Sequence, residues 1–302
     1  VKKVGQFIER YRLPFLLLFT GCLLSLLPIS KLHAAHSVKW LVYRNLKYGP
    51  DPMQGLDLFV PGNRRGPFPL IVFIHGGGWA AGDKADATFF ELSKRGWALA
   101  SINYRLLWEK AFFPAQILDC KAAVAFLRQN AVKYQLDPER IGVWGCSSGG
   151  QLAMLVATTG NGEVRAWESE SNGVSSRVQA VCDWSGPSDL VTLLHSRNLE
   201  RRMRVHTKNL VGPLAEGREA RLAVASPVNY IKRGDPPVLV MHACGDKMVP
   251  LSQSQELIEC LKANGVESKF IAVNSPEHCF YTFENEALVA DFFDRALKRP
   301  HL

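Results

Sequence analysis

The sequence is poor in the patterns that hold metals and nucleotides. Its seven cysteines are scattered, with no C-x-x-C pair and no zinc-ligand spacing. The glycine-rich stretch Gly145–Gly150 lacks the lysine of a phosphate loop, and no dinucleotide fingerprint follows any apolar run. Internal repeats are missing, and so is any collagen-, mucin- or disorder-like bias. These gaps lead to the expectation of a protein that works without a metal or cofactor. What is present is ordinary globular material: 302 residues, 47% hydrophobic and 21% charged, enough for one large α/β domain.

The net charge of +8 invites a nucleic-acid reading, but its distribution argues against one. Residues 1–34 carry Lys2, Lys3, Arg10, Arg12 and Lys31 against Glu9, half of the excess. The densest later run, Arg201-Arg202-Met203-Arg204 with His206 and Lys208, comes with no nucleic-acid motif and reads as a solvated helix face. The basic start leads into an uncharged apolar run over residues 13–29, followed by small residues at Ala34-Ala35. That is the grammar of a targeting segment. The run is longer than a typical signal core and slightly short for a membrane span. Residues 1–34 are therefore read as an export signal, the second choice being a retained anchor that would tether the protein to a membrane. Residues 35–302 form the folded domain.

Within that domain, buried strands alternate with helices. Trp40–Leu46 and Leu56–Val60 are strands joined by a turn, and Leu70-Ile71-Val72-Phe73-Ile74 is apolar throughout, as a central strand covered on both faces requires. Trp97–Ile102, the run ending at Gly145, Val178–Trp184, Pro236–Met241 and Ser268–Val273 continue the series. Helices follow at Pro114, at Gly150, at Ser252–Ala263 and at Ala287–Leu297. The alternation predicts a mostly parallel sheet with right-handed crossovers and helices on both faces. Its chemistry should gather at the carboxyl edge. Residues 189–228 form a helical, charged insertion, read either as a lid or substrate wall or as a plain surface excursion.

The residues that carry chemistry lie just past strand ends. Gly145-Cys146-Ser147-Ser148-Gly149 is G-x-S-x-G between a strand and a helix, the context in which a serine becomes a nucleophile. Alone the motif is weak, because chance supplies it about once in ten chains of this length. The remaining parts decide. Asp246 lies past one strand and His278 past the next, so the order is Ser147, Asp246, His278. An imidazole must take the serine proton, and a carboxylate must orient that imidazole. His75-Gly76-Gly77-Gly78-Trp79 follows a buried strand. The bare amides of Gly76, Gly77 and Gly78, with that of Ser148, are candidate oxyanion donors. His242, within a strand end, reads as a packed core residue.

With these motifs the chain resembles the α/β-hydrolase esterases of the BD-FAE-like group, related to feruloyl and acetyl-xylan esterases, and more distantly the hormone-sensitive-lipase-like esterases. The resemblance runs from about Leu56 to Leu297. It rests on His75–Trp79, Tyr104-Arg105-Leu106, Pro114-Ala115-Gln116, Gly145–Gly150, Ala225-Ser226-Pro227, Gly245–Pro250 and His278. It implies Ser147 as nucleophile, Asp246 as acid and His278 as base, acting on a small-molecule ester. Three departures stand out. Asn103 replaces the usual aspartate before Tyr104. Cys146 and Ser148 replace the common acidic residue and alanine. Glu277-His278-Cys279-Phe280 replaces Gly-His-Gly-Phe, and Glu277 would raise the basicity of His278. Cys244 and Cys279 flank the acid and base loops; in an oxidising compartment a bridge would pin these together, the default being two unpaired buried thiols. Cys120, Cys182 and Cys260 read as core. An amidase of the arylformamidase kind would use the same residues, and a non-catalytic binding protein would keep the fold but break the triad.

Overall fold

The protein is described here by a computed structural model, which covers residues 39–89, 91–168 and 173–297. The targeting segment expected at residues 1–34 lies outside these. No helix among the described residues is long and apolar enough to cross a membrane.

Eight strands form one sheet: β1 (Trp40–Lys47), β2 (Gly55–Pro61), β3 (Phe68–Ile74), β4 (Ala98–Ile102), β5 (Leu136–Cys146), β6 (Ala180–Trp184), β7 (Val238–Ala243) and β8 (Ser268–Val273). Their order across the sheet is β1-β2-β4-β3-β5-β6-β7-β8. β2 is antiparallel to both its neighbours, and every pairing from β4 to β8 is parallel. This is the α/β-hydrolase sheet that the alternation of elements predicts.

The continuous apolar strands are explained by two cores, one on each face. Along β3, Leu70, Val72 and Ile74 enter one core while Ile71 and Phe73 enter the other, as the two-residue period of a strand dictates. The first core is covered by α1 (Ala115–Gln129), the short α2 (Ala131–Tyr134), and α3 (Ser148–Thr158). The second is rich in aromatics: Phe73, Trp97, Trp144, Trp184, Phe280, Phe292 and Phe293 are all buried there.

The insertion between β6 and β7 is helical as expected, with α4 (Leu190–His195), α5 (Arg201–Leu210) and α6 (Arg218–Val224). Leu190, Leu193, Met203, Leu210 and Leu222 anchor it in the first core, whereas Arg201 and Arg202 face solvent. The last two helices, α7 (Leu251–Ala263) and α8 (Phe283–Leu297), lie on opposite sides of the sheet: Leu257 and Leu261 join the first core, Val289 and Phe293 the second.

One strand start differs from the sequence expectation. Leu136-Asp137-Pro138 reads as a break before the strand, yet β5 begins at Leu136. The pairing steps from Phe68↔Leu136 to Leu70↔Ile141, so residues 137–140 are absorbed in an irregularity. Asp137 stabilises it, accepting bonds from the Glu139 amide at 2.9 Å and the Arg140 side chain at 2.6 Å. A proline is tolerated there because the ladder is already interrupted.

Candidate active site

Ser147 occupies the turn between β5 and α3 with φ 58° and ψ −126°. A backbone in so sparsely populated a region costs about 1–3 kcal/mol and persists only when its surroundings fix it. Here the Ser147 amide donates to the Trp184 carbonyl on β6 at 2.7 Å. The glycines on either side are obligatory for packing. A methyl group on Gly145 would collide with the Gly149 carbonyl, and one on Gly149 would collide with the Ile74 carbonyl. Helix α3 begins at Ser148, so the Ser148 amide is among those that a helix leaves without an intrahelical acceptor.

The glycine loop after β3 is placed against this turn. A Cβ built on Gly76 would lie 3.0 Å from the Cys146 carbonyl oxygen and 3.3 Å from Cβ of Ser147. Neighbouring groups hold the loop. His75 stacks on Tyr104 with ring centroids 4.3 Å apart, and the Tyr104 hydroxyl donates to the His75 carbonyl at 2.9 Å. The Trp79 indole donates to Gln151 on α3 at 3.0 Å, and Gln151 in turn donates to the Ala225 carbonyl at 2.7 Å. The insertion also reaches this loop, since His206 on α5 occupies the space beside Gly78.

Asp246 and His278 meet as the sequence order predicts. His278 donates from Nδ1 to Asp246 Oδ2 at 2.6 Å. The other carboxylate oxygen accepts from the Met248 and Val249 amides at 2.8 and 3.0 Å. Burial pushes the Asp246 carboxyl up, but the bonds from His242, His278 and backbone outweigh it and hold the group well below the usual carboxylate range. Burial also lowers His278, and the Asp246 bond more than compensates, so the imidazole lies above its ordinary 6.5. Glu277 is exposed and is not among the groups that shift His278; the basicity comes from the Asp246 bond first, with the Cys279 thiol beside the ring adding to it. His278 Nε2 has no hydrogen-bond partner among the described residues. Ser147 Oγ and this nitrogen are not bonded to each other, although the loop bearing the imidazole packs on β5, which leads into the serine, and on its neighbour β6: Tyr281 lies 6.1 Å from Trp144 and Phe280 stacks on Trp184 at 4.8 Å.

His242 is fully buried and packed, as read from the sequence, with Nδ1 2.7 Å from the Ser254 hydroxyl and Nε2 3.0 Å from the Val249 carbonyl. It also lies 3.3 Å from Asp246 Oδ2, a contact the sequence reading missed. The signal was its spacing four residues before Asp246 across one strand end. Beside the Asp246 loop, a cleft of about 640 Å³ is lined by Arg197, Asn198 and Glu200 from the insertion and by Lys247 and Pro250.

The thiols correct one expectation. Cys120 and Cys182 are buried and Cys260 is partly so, but Cys244 and Cys279 are exposed, and both are free. Among the described residues no His, Cys, Asp and Glu group could hold a metal ion.

A BD-FAE family model matches residues 56–261, which contain Ser147 and Asp246 and more than half the chain. The chain belongs to the BD-FAE family. Among similar proteins, esterase LipC of Mycobacterium tuberculosis is 32% identical over 234 residues, covering 73% of this chain and 55% of that protein. Isoprenylcysteine alpha-carbonyl methylesterase ICME of Arabidopsis thaliana is 27% identical, covering 89% of this chain and 64% of its own. The chain spans about half the length of the first curated relatives it matches. Among solved structures, a truncated carbohydrate esterase from gut microbiota superposes with a TM-score of 0.74 at 28% identity, covering 88% of this chain and 99% of that one. It shares the fold described above.

Proposed function

We propose that this chain is a serine hydrolase that cleaves carboxylic esters through an acyl-enzyme, with short-chain acyl groups or acyl groups on sugars and aryl alcohols as substrates. One observation carries the reading. An imidazole is held by a buried carboxylate at 2.6 Å, with its other nitrogen unpartnered among the described residues, on a loop that packs against β6 and against β5, the strand that leads into a strained serine.

In this reading His278 Nε2 takes the Ser147 proton as Oγ attacks the ester carbonyl. Asp246 keeps Nδ1 protonated and stabilises the imidazolium that results. Negative charge gathering on the carbonyl oxygen is met by the amides of Ser148, Gly76, Gly77 and Gly78, each such donor being worth about 10²–10³ in rate. His278 then returns its proton to the departing alcohol, and water repeats the sequence on the acyl-enzyme. Names of relatives support the ester class: LipC is an esterase, and the solved neighbour is a carbohydrate esterase. We also propose that residues 1–34 direct export, on the strength of their basic start and apolar run.

The test is a panel of p-nitrophenyl, sugar-acetyl and feruloyl esters with aryl formamides alongside, comparing wild type with Ser147→Ala. The expected result is ester turnover that falls by about 10⁴-fold or more in the variant. Turnover confined to the formamides would replace the esterase reading with an amidase one. No turnover, with no fluorophosphonate label on Ser147, would leave a binding protein.

A further inference from the structure

Two thiols adjoin the candidate reacting groups in sequence: Cys146 precedes Ser147, and Cys279 follows His278. Both are positions where the sequence departs from the pattern it resembles. Cys146 is 1% exposed at the end of β5, in the apolar cluster that contains Trp144, Trp184 and Phe280, with Tyr281 packed against it. The chain past His278 is seated over those rings. Tyr281 lies 4.9 Å from Trp184 and 6.1 Å from Trp144, ring centre to ring centre, and Phe280 stacks on Trp184. Cys146 is the register partner of Trp184 across β5 and β6, so a chain seated on Trp184 and Trp144 by residues 280 and 281 carries residue 279 over the end of β5. In keeping with that closeness, Cys279 pushes the Cys146 thiol up and Cys146 draws the Cys279 thiol down. Cys279 is open to solvent, so a small reagent can reach it. Cys244, the partner suggested by sequence, stands at the end of β7, two strands further along the sheet.

We propose that Cys146 and Cys279 form a disulfide that cross-links the strand end bearing Ser147 to the loop bearing His278. The oxidant is a low-molecular-weight disulfide of the glutathione class. Cys279 attacks one of its sulfurs as the thiolate and expels the first small thiolate, leaving a mixed disulfide on residue 279. The Cys146 sulfur then attacks the Cys279 sulfur and expels the second. One protein disulfide forms, one small disulfide is reduced to two thiols, and the two cysteine protons end on those thiols. The Cys146 thiol and the charge of His278 both draw the Cys279 thiol down toward its thiolate, against the pull of burial, and residue 279 is the exposed one of the two, so its sulfur is the attacking one. The bridge joins residues far apart in sequence, so it restrains the unfolded chain strongly.

The test equilibrates the protein with oxidised glutathione and maps its peptides without reduction. The expected product is a peptide pair joining residues 146 and 279 in most molecules. It should be absent in Cys279→Ser, persist in Cys244→Ser, and be cleaved by dithiothreitol. Oxidised wild type should also melt above reduced wild type, a difference that Cys279→Ser abolishes. Glutathione retained on Cys279 with Cys146 free, or a pair joining residues 244 and 279, would overturn the proposal. Cys279→Ser lies at an exposed position, so its folding keeps the test usable if the buried Cys146→Ser does not fold. Peptide masses report the bridge whether or not the protein hydrolyses esters.

Discussion

At the scale of single residues, the two charged partners of the site titrate in opposite senses. His278 is raised by Asp246, and only its neutral form can accept a proton. The acid limb of kcat/KM on an activated ester should therefore have its midpoint above 6.5. A pH–rate profile checks this, and an inflection at or below that value would contradict it. Asp246→Asn removes the orienting charge, and about 10⁴-fold of kcat should go with it. Stability follows the same groups with signs that can be worked out. The lowered Asp246 carboxyl stabilises the fold above the ordinary carboxylate pKa of 3.8, and loses that contribution as pH falls through its folded value. The raised His278 stabilises below 6.5 and loses its share as pH rises through its own folded value. Melting temperatures of wild type and Asp246→Asn should thus differ at pH 5–6 and converge on strong acidification. His242→Ala should cost about 1–3 kcal/mol in denaturant titration, since it leaves a buried hydroxyl and carbonyl unpaired beside Asp246.

At the scale of elements, the turn at Ser147 and the loop at His278 both depend on their neighbours. Gly145→Ala would force β5 and α3 apart, and overpacking of this kind costs about 1–3 kcal/mol. Activity should fall further than stability, because the displaced part is the serine turn. The sequence made these elements readable because its central strands, such as β3 and β7, are apolar nearly throughout and each candidate residue sits shortly beyond a strand. Ser147, Asp246 and His278 follow β5, β7 and β8 as expected. What was not readable depends on contacts between distant segments. Residue 279 is brought to the end of β5 by the stacking of Phe280 and Tyr281 on Trp184 and Trp144, which no local pattern encodes. Cys244, nearer to Cys279 in sequence, was the natural guess; it follows β7, two strands from β5. The start of β5 was obscured because Asp137 and Pro138, ordinarily strand breakers, fall in a bulge. His242 was correctly placed in the core, but its approach to Asp246 needed the side-chain directions.

At the scale of the whole molecule, the unit spanning residues 38–302 holds the sheet and the candidate site. Protein lacking residues 1–37 should therefore unfold in one cooperative transition with unchanged kcat; loss of the transition would show that those residues are needed for folding. The insertion, anchored by buried leucines but charged outside, reaches the glycine loop through His206. That the insertion is helical was readable in the sequence; that His206 would lie beside Gly78 was not, because the contact joins segments more than a hundred residues apart.

Trp184 has a consequence of its own. Its carbonyl accepts the Ser147 amide at 2.7 Å, while its ring supports Phe280 at 4.8 Å and Tyr281 at 4.9 Å. Serine and imidazole thus share one footing, and a small drift of β6 carries both in the same direction. Warming should leave their alignment intact until that footing itself gives way, so the loss of turnover on heating should coincide with the collapse of near-ultraviolet ellipticity instead of preceding it.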